Sequence, residues 1–139
     1  EGWFNYPKNL TRAEHLNKTK NFILSHPELF QDGDSFTPCP ECEYGGPGKP
    51  VSTGDYEGYR KFMTDELSVV NQSFKTIHKN VVTNWLSMNP DVAKKALDKK
   101  TVKAMGNLIT LDSYFRNADD VKNLINYFAE KFPQAKIFI

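Results

Sequence analysis

From Tyr59 to Met88 the apolar residues Tyr59, Met63, Leu67, Val70, Phe74, Ile77, Val81, Trp85 and Met88 recur at steps of four and three. That period marks one face of an α-helix and predicts a single helix over about 56–88, on the order of 45 Å long at 1.5 Å per residue. A second stripe, Leu16, Thr19 and Ile23 with Phe22 or Leu24 beside it, predicts a helix from Arg12 to Leu24. Thr11-Arg-Ala-Glu14 reads as its capping box, and Pro27 stops it and then opens a short turn through Phe30. Beyond Asn89-Pro90 the pattern gives a short lysine-rich helix, Val92 to Lys99, then a helix from Thr101 to Phe115. A last helix, capped by Asn117 and ended by Pro133, carries Val121, Leu124, Ile125, Phe128 and Phe132.

Residues 31–58 break this rhythm. Six of the eight glycines and four of the eight prolines fall there, which excludes a regular helix or a central strand. Loops of that length inside a compact domain are tied down, disordered or functional. The expected fold is therefore all-α, a four- to five-helix bundle around the 56–88 helix, within one domain over 1–139. An aromatic arm and first helix occupy 1–30, the Gly/Pro-rich loop 31–58, the main helical part 59–132 and an apolar tail 133–139.

Charge adds a segregation that the pattern alone conceals. Eighteen basic and seventeen acidic residues nearly cancel, which argues against a general nucleic-acid binder. Residues 31–57 nevertheless hold six acids against the single base Lys49, whereas 58–118 hold ten bases against five acids. Loop and helical part attract each other, or each attracts a different partner. The lysines Lys94, Lys95, Lys99, Lys100 and Lys103 would form one face; with no arginine or aromatic residue beside them in sequence, they read as a solvated surface rather than a phosphate-tracking one.

The only two cysteines lie in Cys39-Pro40-Glu41-Cys42, at the centre of the loop. Two thiolates at that spacing form half of a metal knuckle, so zinc held by Cys39 and Cys42 is one reading, with His26 and His78, His15, or a second chain's pair completing the tetrahedron. Redox catalysis is disfavoured. It needs a strand before and a helix after the first cysteine, and Glu41 and Glu43 would raise a thiolate's pKa. A local disulfide or two free thiols stiffening a turn is the plainer reading. Asp32-Gly-Asp34 lacks the glycine position of a calcium loop, and Pro38 and Pro40 oppose its turn. No Ser-His-Asp or Cys-His arrangement can be assigned, and Gly45-Gly-Pro-Gly48 lacks the lysine of a phosphate loop.

What remains is surface chemistry. Trp3, Phe4, Tyr6 and Tyr44 lie in irregular segments, and Ile137, Phe138 and Ile139 form a tail too apolar to be solvated; rigid rings and apolar ends of this kind are what protein interfaces use. The sequence thus points to a non-catalytic interaction protein, an accessory or structural subunit of a larger assembly or a secreted binding protein. A zinc-binding module and a carrier of a small apolar ligand are the alternatives. Other protein subunits are the expected partners. No apolar run is long enough to span a bilayer, which still leaves room for association with a membrane complex. The first residue, Glu1, fits a processed, secreted or organellar chain, and three N-glycosylation triplets begin at Asn9, Asn17 and Asn71.

Overall fold

The structure is a computed structural model that describes residues 6, 7, 9–47, 49–83 and 88–139. The expected contributions of Trp3, Phe4 and Trp85 lie outside the described residues. The described chain is mostly helical, in keeping with the all-α class, with six α-helices and four short strands among those residues. Helix α1, Arg12–Ser25, begins at the anticipated capping box: Thr11 Oγ accepts from the Glu14 amide at 3.2 Å, and the Thr11 amide donates to the Glu14 carboxylate at 2.8 Å. A single 3-10 turn, Pro27–Leu29, follows it, and then strand β1, Ser35–Phe36. Helix α2, Pro50–Thr53, is short and starts on its proline. The Gly/Pro-rich stretch is therefore not wholly irregular; a strand and a helical turn occupy the two places where its prolines and glycines allow them.

Helix α3, Tyr56–Thr76, is the longest, and Tyr59, Met63, Leu67, Val70 and Phe74 are all buried along it. It ends twelve residues short of the expected Met88, because His78 adopts a left-handed conformation (φ 56°) while its amide and that of Lys79 turn back to the Lys75 and Phe74 carbonyls. Val82–Thr83 then form strand β2, paired in parallel with β1 through Ser35↔Val82 and Phe36↔Thr83. The apolar steps at Ile77 and Val81 mimic a continuing helix, but both side chains reach the core through a turn. Distant backbone pairing wins over local period here.

Helices α4, Pro90–Ala96, and α5, Lys99–Ala104, are capped by Asn89 and Asp98, whose side chains accept from the Asp91 and Thr101 amides at 2.9 and 2.7 Å. The helix expected to run from Thr101 to Phe115 stops at Ala104, since Gly106 (φ 70°) and Asn107 (φ 58°) both take the left-handed conformation that closes a helix. Leu108–Thr110 form strand β3 instead. Helix α6, Ala118–Lys131, begins at the expected Asn117 cap, and strand β4, Lys136–Phe138, pairs in parallel with β3. Parallel strands need a long crossover, and α3 and α6 supply one each.

Two cores share α3. Around its C-terminal half, Ile23, Phe30, Val70, Phe74 and Val81 cluster, with Phe30, Phe36 and Phe74 meeting edge to face at centroid distances of 5.0 to 5.8 Å. The larger core joins its N-terminal half to the cysteines, α4, α5, β3 and α6. Arg12 meets Asp55 at 2.9 Å, His15 meets Glu66, and Ile23 packs with Val70 and Phe74, so α1 and α3 run parallel along one seam.

Candidate functional site

The cysteine segment is tied down in three ways. Cys39 and Cys42 are joined by a disulfide and are fully buried, with Glu41 between them in a left-handed conformation that tightens the turn. Tyr6 donates its hydroxyl proton to the Pro40 carbonyl at 2.6 Å, which lays the end of the N-terminal arm over the turn. Glu43, 1% exposed, accepts from the Asn89 amide at 2.9 Å and so fastens the segment to the start of α4. Gly46 closes against the bridge: a Cβ there would collide with the Cys42 sulfur. The packing explains why this long loop is ordered.

Beneath it lie ionisable groups that α1 and α3 bring together. His15 Nε2 stands 3.1 Å from Glu66 Oε1, with Glu66 wholly buried and the imidazole packed edge-on to Tyr6 and Phe62 at centroid distances of 6.2 and 5.7 Å. The pair approaches without hydrogen-bond alignment, and neither Glu66 oxygen accepts a hydrogen bond from any described residue. Glu43 Oε2 is likewise unpartnered. Burial pushes the Glu43 carboxyl above the usual carboxylate range against the pull of the Asn89 amide, with Glu41 and Asp112 adding to the rise. The Tyr6 phenol is raised as well, first by burial and then by the charges of Glu43, Glu41 and Glu66.

This interior does not assemble the expected metal set. The sulfurs are spent on each other, and a disulfide offers no thiolate to zinc. His26 sits at the end of α1, half-exposed and 3.2 Å from Glu28, while His78 sits in the turn that ends α3. No three His, Cys, Asp or Glu side chains converge to hold an ion among the described residues.

The outer surface is different in kind. Tyr44, two residues after Cys42, is exposed. The tail is held by its backbone: Lys136 donates to the Asn107 carbonyl at 2.8 Å and the Phe138 carbonyl accepts from Leu111 at 2.9 Å. Because Lys136 and Phe138 bond to β3, the N–H and C=O of Ile137 point away from it, and β4 is an edge. Ile137 is half-buried against the core, whereas Phe138 and Ile139 are 57% and 48% exposed.

Lys94 also finds aromatic company that its local sequence withholds, and Lys131 of α6 joins it. Lys94 and Lys131 each stand 5.6 Å from the Tyr127 ring, and Lys131 lies 5.3 Å from Phe132 while donating to the Lys94 carbonyl at 3.2 Å. Sequence reasoning missed the ring beside Lys94 because α6 delivers Tyr127 from some thirty positions away, whereas Lys131 meets Tyr127 and Phe132 as near neighbours in sequence. It also passed over Glu66 and His15 as interior groups, although a signal existed: Glu66 falls three after Met63 and four before Val70, on the apolar stripe itself. No helix is long and apolar enough to cross a membrane among the described residues. No known protein family, curated protein or solved structure is similar enough to this chain to lend it a function.

Proposed function

We propose that this chain is a non-catalytic interaction protein, an accessory or structural subunit or a secreted binding protein, that docks through the open edge of β4 onto an extended segment of a partner protein. The observation that carries the reading is the outward-facing backbone of Ile137 flanked by exposed Phe138 and Ile139. An unpaired strand edge takes up a further strand by main-chain bonding, and alternate apolar side chains give that contact its selectivity. Natural edges are blunted by charge, proline or a covering loop; on β4 the one charged side chain is that of Lys136. The groups best suited to chemistry, the two sulfurs and the imidazole of His15, are buried in structural roles, which supports a binding rather than a catalytic reading.

A photo-reactive phenylalanine analogue in place of Phe138, expressed in the native cells, tests the reading. The expected result is one adduct of defined mass, absent when the same analogue replaces Leu29, which is equally exposed on the opposite core. Ile137→Pro, which removes the outward N–H, abolishes the adduct, and Ile137→Ala, which loses only packing, retains it. Equal labelling from both positions, or none from 138, would sink the proposal.

A further inference from the structure

A groove of about 470 Å³ lies between α5 and the end of α6, with Val102, Phe132 and Pro133 as its floor and Lys99, Lys103 and Lys131 at its rim. Lys99 and Lys103, one helical turn apart on the same face of α5, make no ion pair among the described residues, and no carboxylate lines the groove. Like charges at that spacing repel one another mildly, so an anion seated between them relieves a repulsion as well as gaining an attraction. Lys131 is held in place by the Lys94 carbonyl and the Phe132 ring, which fixes one wall of the rim. Below the cations the surface is aliphatic and aromatic. The volume falls within the range of small-molecule sites.

We infer that this groove binds a single-chain amphiphile with one anionic head, of the medium-chain fatty-acid type, its carboxylate between Lys99 and Lys103 and its chain along Val102, Phe132 and Pro133. The two requirements are separable, and their combination defines the class: a bare anion leaves the floor wet, and an uncharged chain leaves the lysines uncompensated. The inference does not rest on the β4 edge, which is formed by other atoms and is read by a different experiment.

The test is a titration of the full chain with sodium decanoate below its micelle concentration, followed by amide chemical shifts. Saturable shifts at Val102, Asn107 and Gln134 are expected, with decanol and acetate each at least about tenfold weaker. Lys99→Ala with Lys103→Ala weakens decanoate about tenfold, the loss of two exposed charge contacts. Ala135→Trp, which fills the groove, removes the shifts altogether; should that variant fail to fold, the exposed lysine pair still decides the matter. Decanol binding as tightly as decanoate, shifts centred on 136–139 instead, or indifference to the lysine pair would each overturn the inference. Binding to anionic phospholipid vesicles that survives Ala135→Trp would overturn it too, in favour of a membrane-surface contact.

Discussion

Two regions of this molecule handle polarity in opposite ways. Along the α1–α3 seam, under the cysteine turn, charged and reactive groups are hidden: Glu43, Glu66, His15 and both sulfurs are buried, and apolar rings cover them. On the surface around α5, α6 and β4, apolar groups are shown to solvent and lysines stand over aromatic rings. The first arrangement fixes a structure and the second leaves surface unsatisfied. Residue types that suggest chemistry in a sequence have gone inside to hold the fold, while the ordinary-looking tail and lysine run are where a ligand could be met.

The contrast breaks most readily at the seam. His15→Ala leaves Glu66 buried without its partner, and removing one member of a buried pair costs about 3 to 5 kcal/mol. Urea unfolding should show that loss, whereas His15→Leu with Glu66→Met, which replaces both ionisable side chains at similar volume, should recover to within about 1 kcal/mol of the parent. A small effect from the single substitution would show that the seam tolerates a lone carboxylate and that its polar interior is no structural device.

Next in size is the disulfide. Cys39→Ser with Cys42→Ser frees a four-residue loop, for which the chain-entropy argument gives about 2 kcal/mol. The loss should appear in thermal unfolding and should leave the decanoate titration unchanged, since the groove is built from α5 and α6. A loss of groove binding in this variant would mean that the two regions are coupled and that the comparison is too sharp.

How much of this was legible follows from the range of the forces involved. Caps and amphipathic stripes are local, so Thr11, Asn89 and Asn117 begin helices as their residue types suggest, and Leu124, Phe128 and Phe132 of the last stripe are buried while Ile125 faces solvent; Asp98, which the pattern places inside a helix reaching Lys99, instead caps α5 after α4 has stopped at Ala96. Strands were missed because β1 pairs with β2, and β3 with β4, across whole helices, and nothing within two or three residues announces such a partner. Gly106 and Asn107 did announce the end of α5; of the apolar residues beyond them, Leu108 and Ile109 belong to β3 and Leu111 to the bridge with Met88 that follows it, although the three happen to keep helical steps. The site was harder still. Cysteine spacing could suggest metal or disulfide, but only the fold places Tyr127 beside Lys94.

A subtler test of the buried side is its pH response. Glu43 has a folded pKa above its ordinary value near 4.5, so the native state holds this proton more tightly than the unfolded chain does. Its contribution to stability is greatest below pH 4.5 and falls as pH rises through the folded pKa. Glu43→Gln keeps an acceptor for the Asn89 amide and removes the charge, so the variant should gain on the parent as pH rises from 4.5 and match its trend below that point. Unfolding midpoints across pH 3.5 to about 8 check the sign. A variant that loses ground at neutral pH would show that the ionised carboxylate is favoured where it lies.

The smallest stability effects belong to the open surface, and their smallness is the sharpest form of the comparison. Phe138→Ser and Lys103→Ala alter exposed side chains that complete no buried contact, so each should shift unfolding by no more than about 0.5 kcal/mol. Should Phe138→Ser instead destabilise by about 2 kcal/mol, the ring belongs to the core of the isolated chain and is no docking element. With stability unchanged, loss of a partner adduct or of decanoate binding reads directly as loss of a contact. That separation cannot be had at the seam, where every substitution disturbs the fold along with whatever else it touches. An exposed apolar residue that the fold does not need is evidence of use in a way that a buried histidine beside a glutamate is not, because packing already accounts for the second.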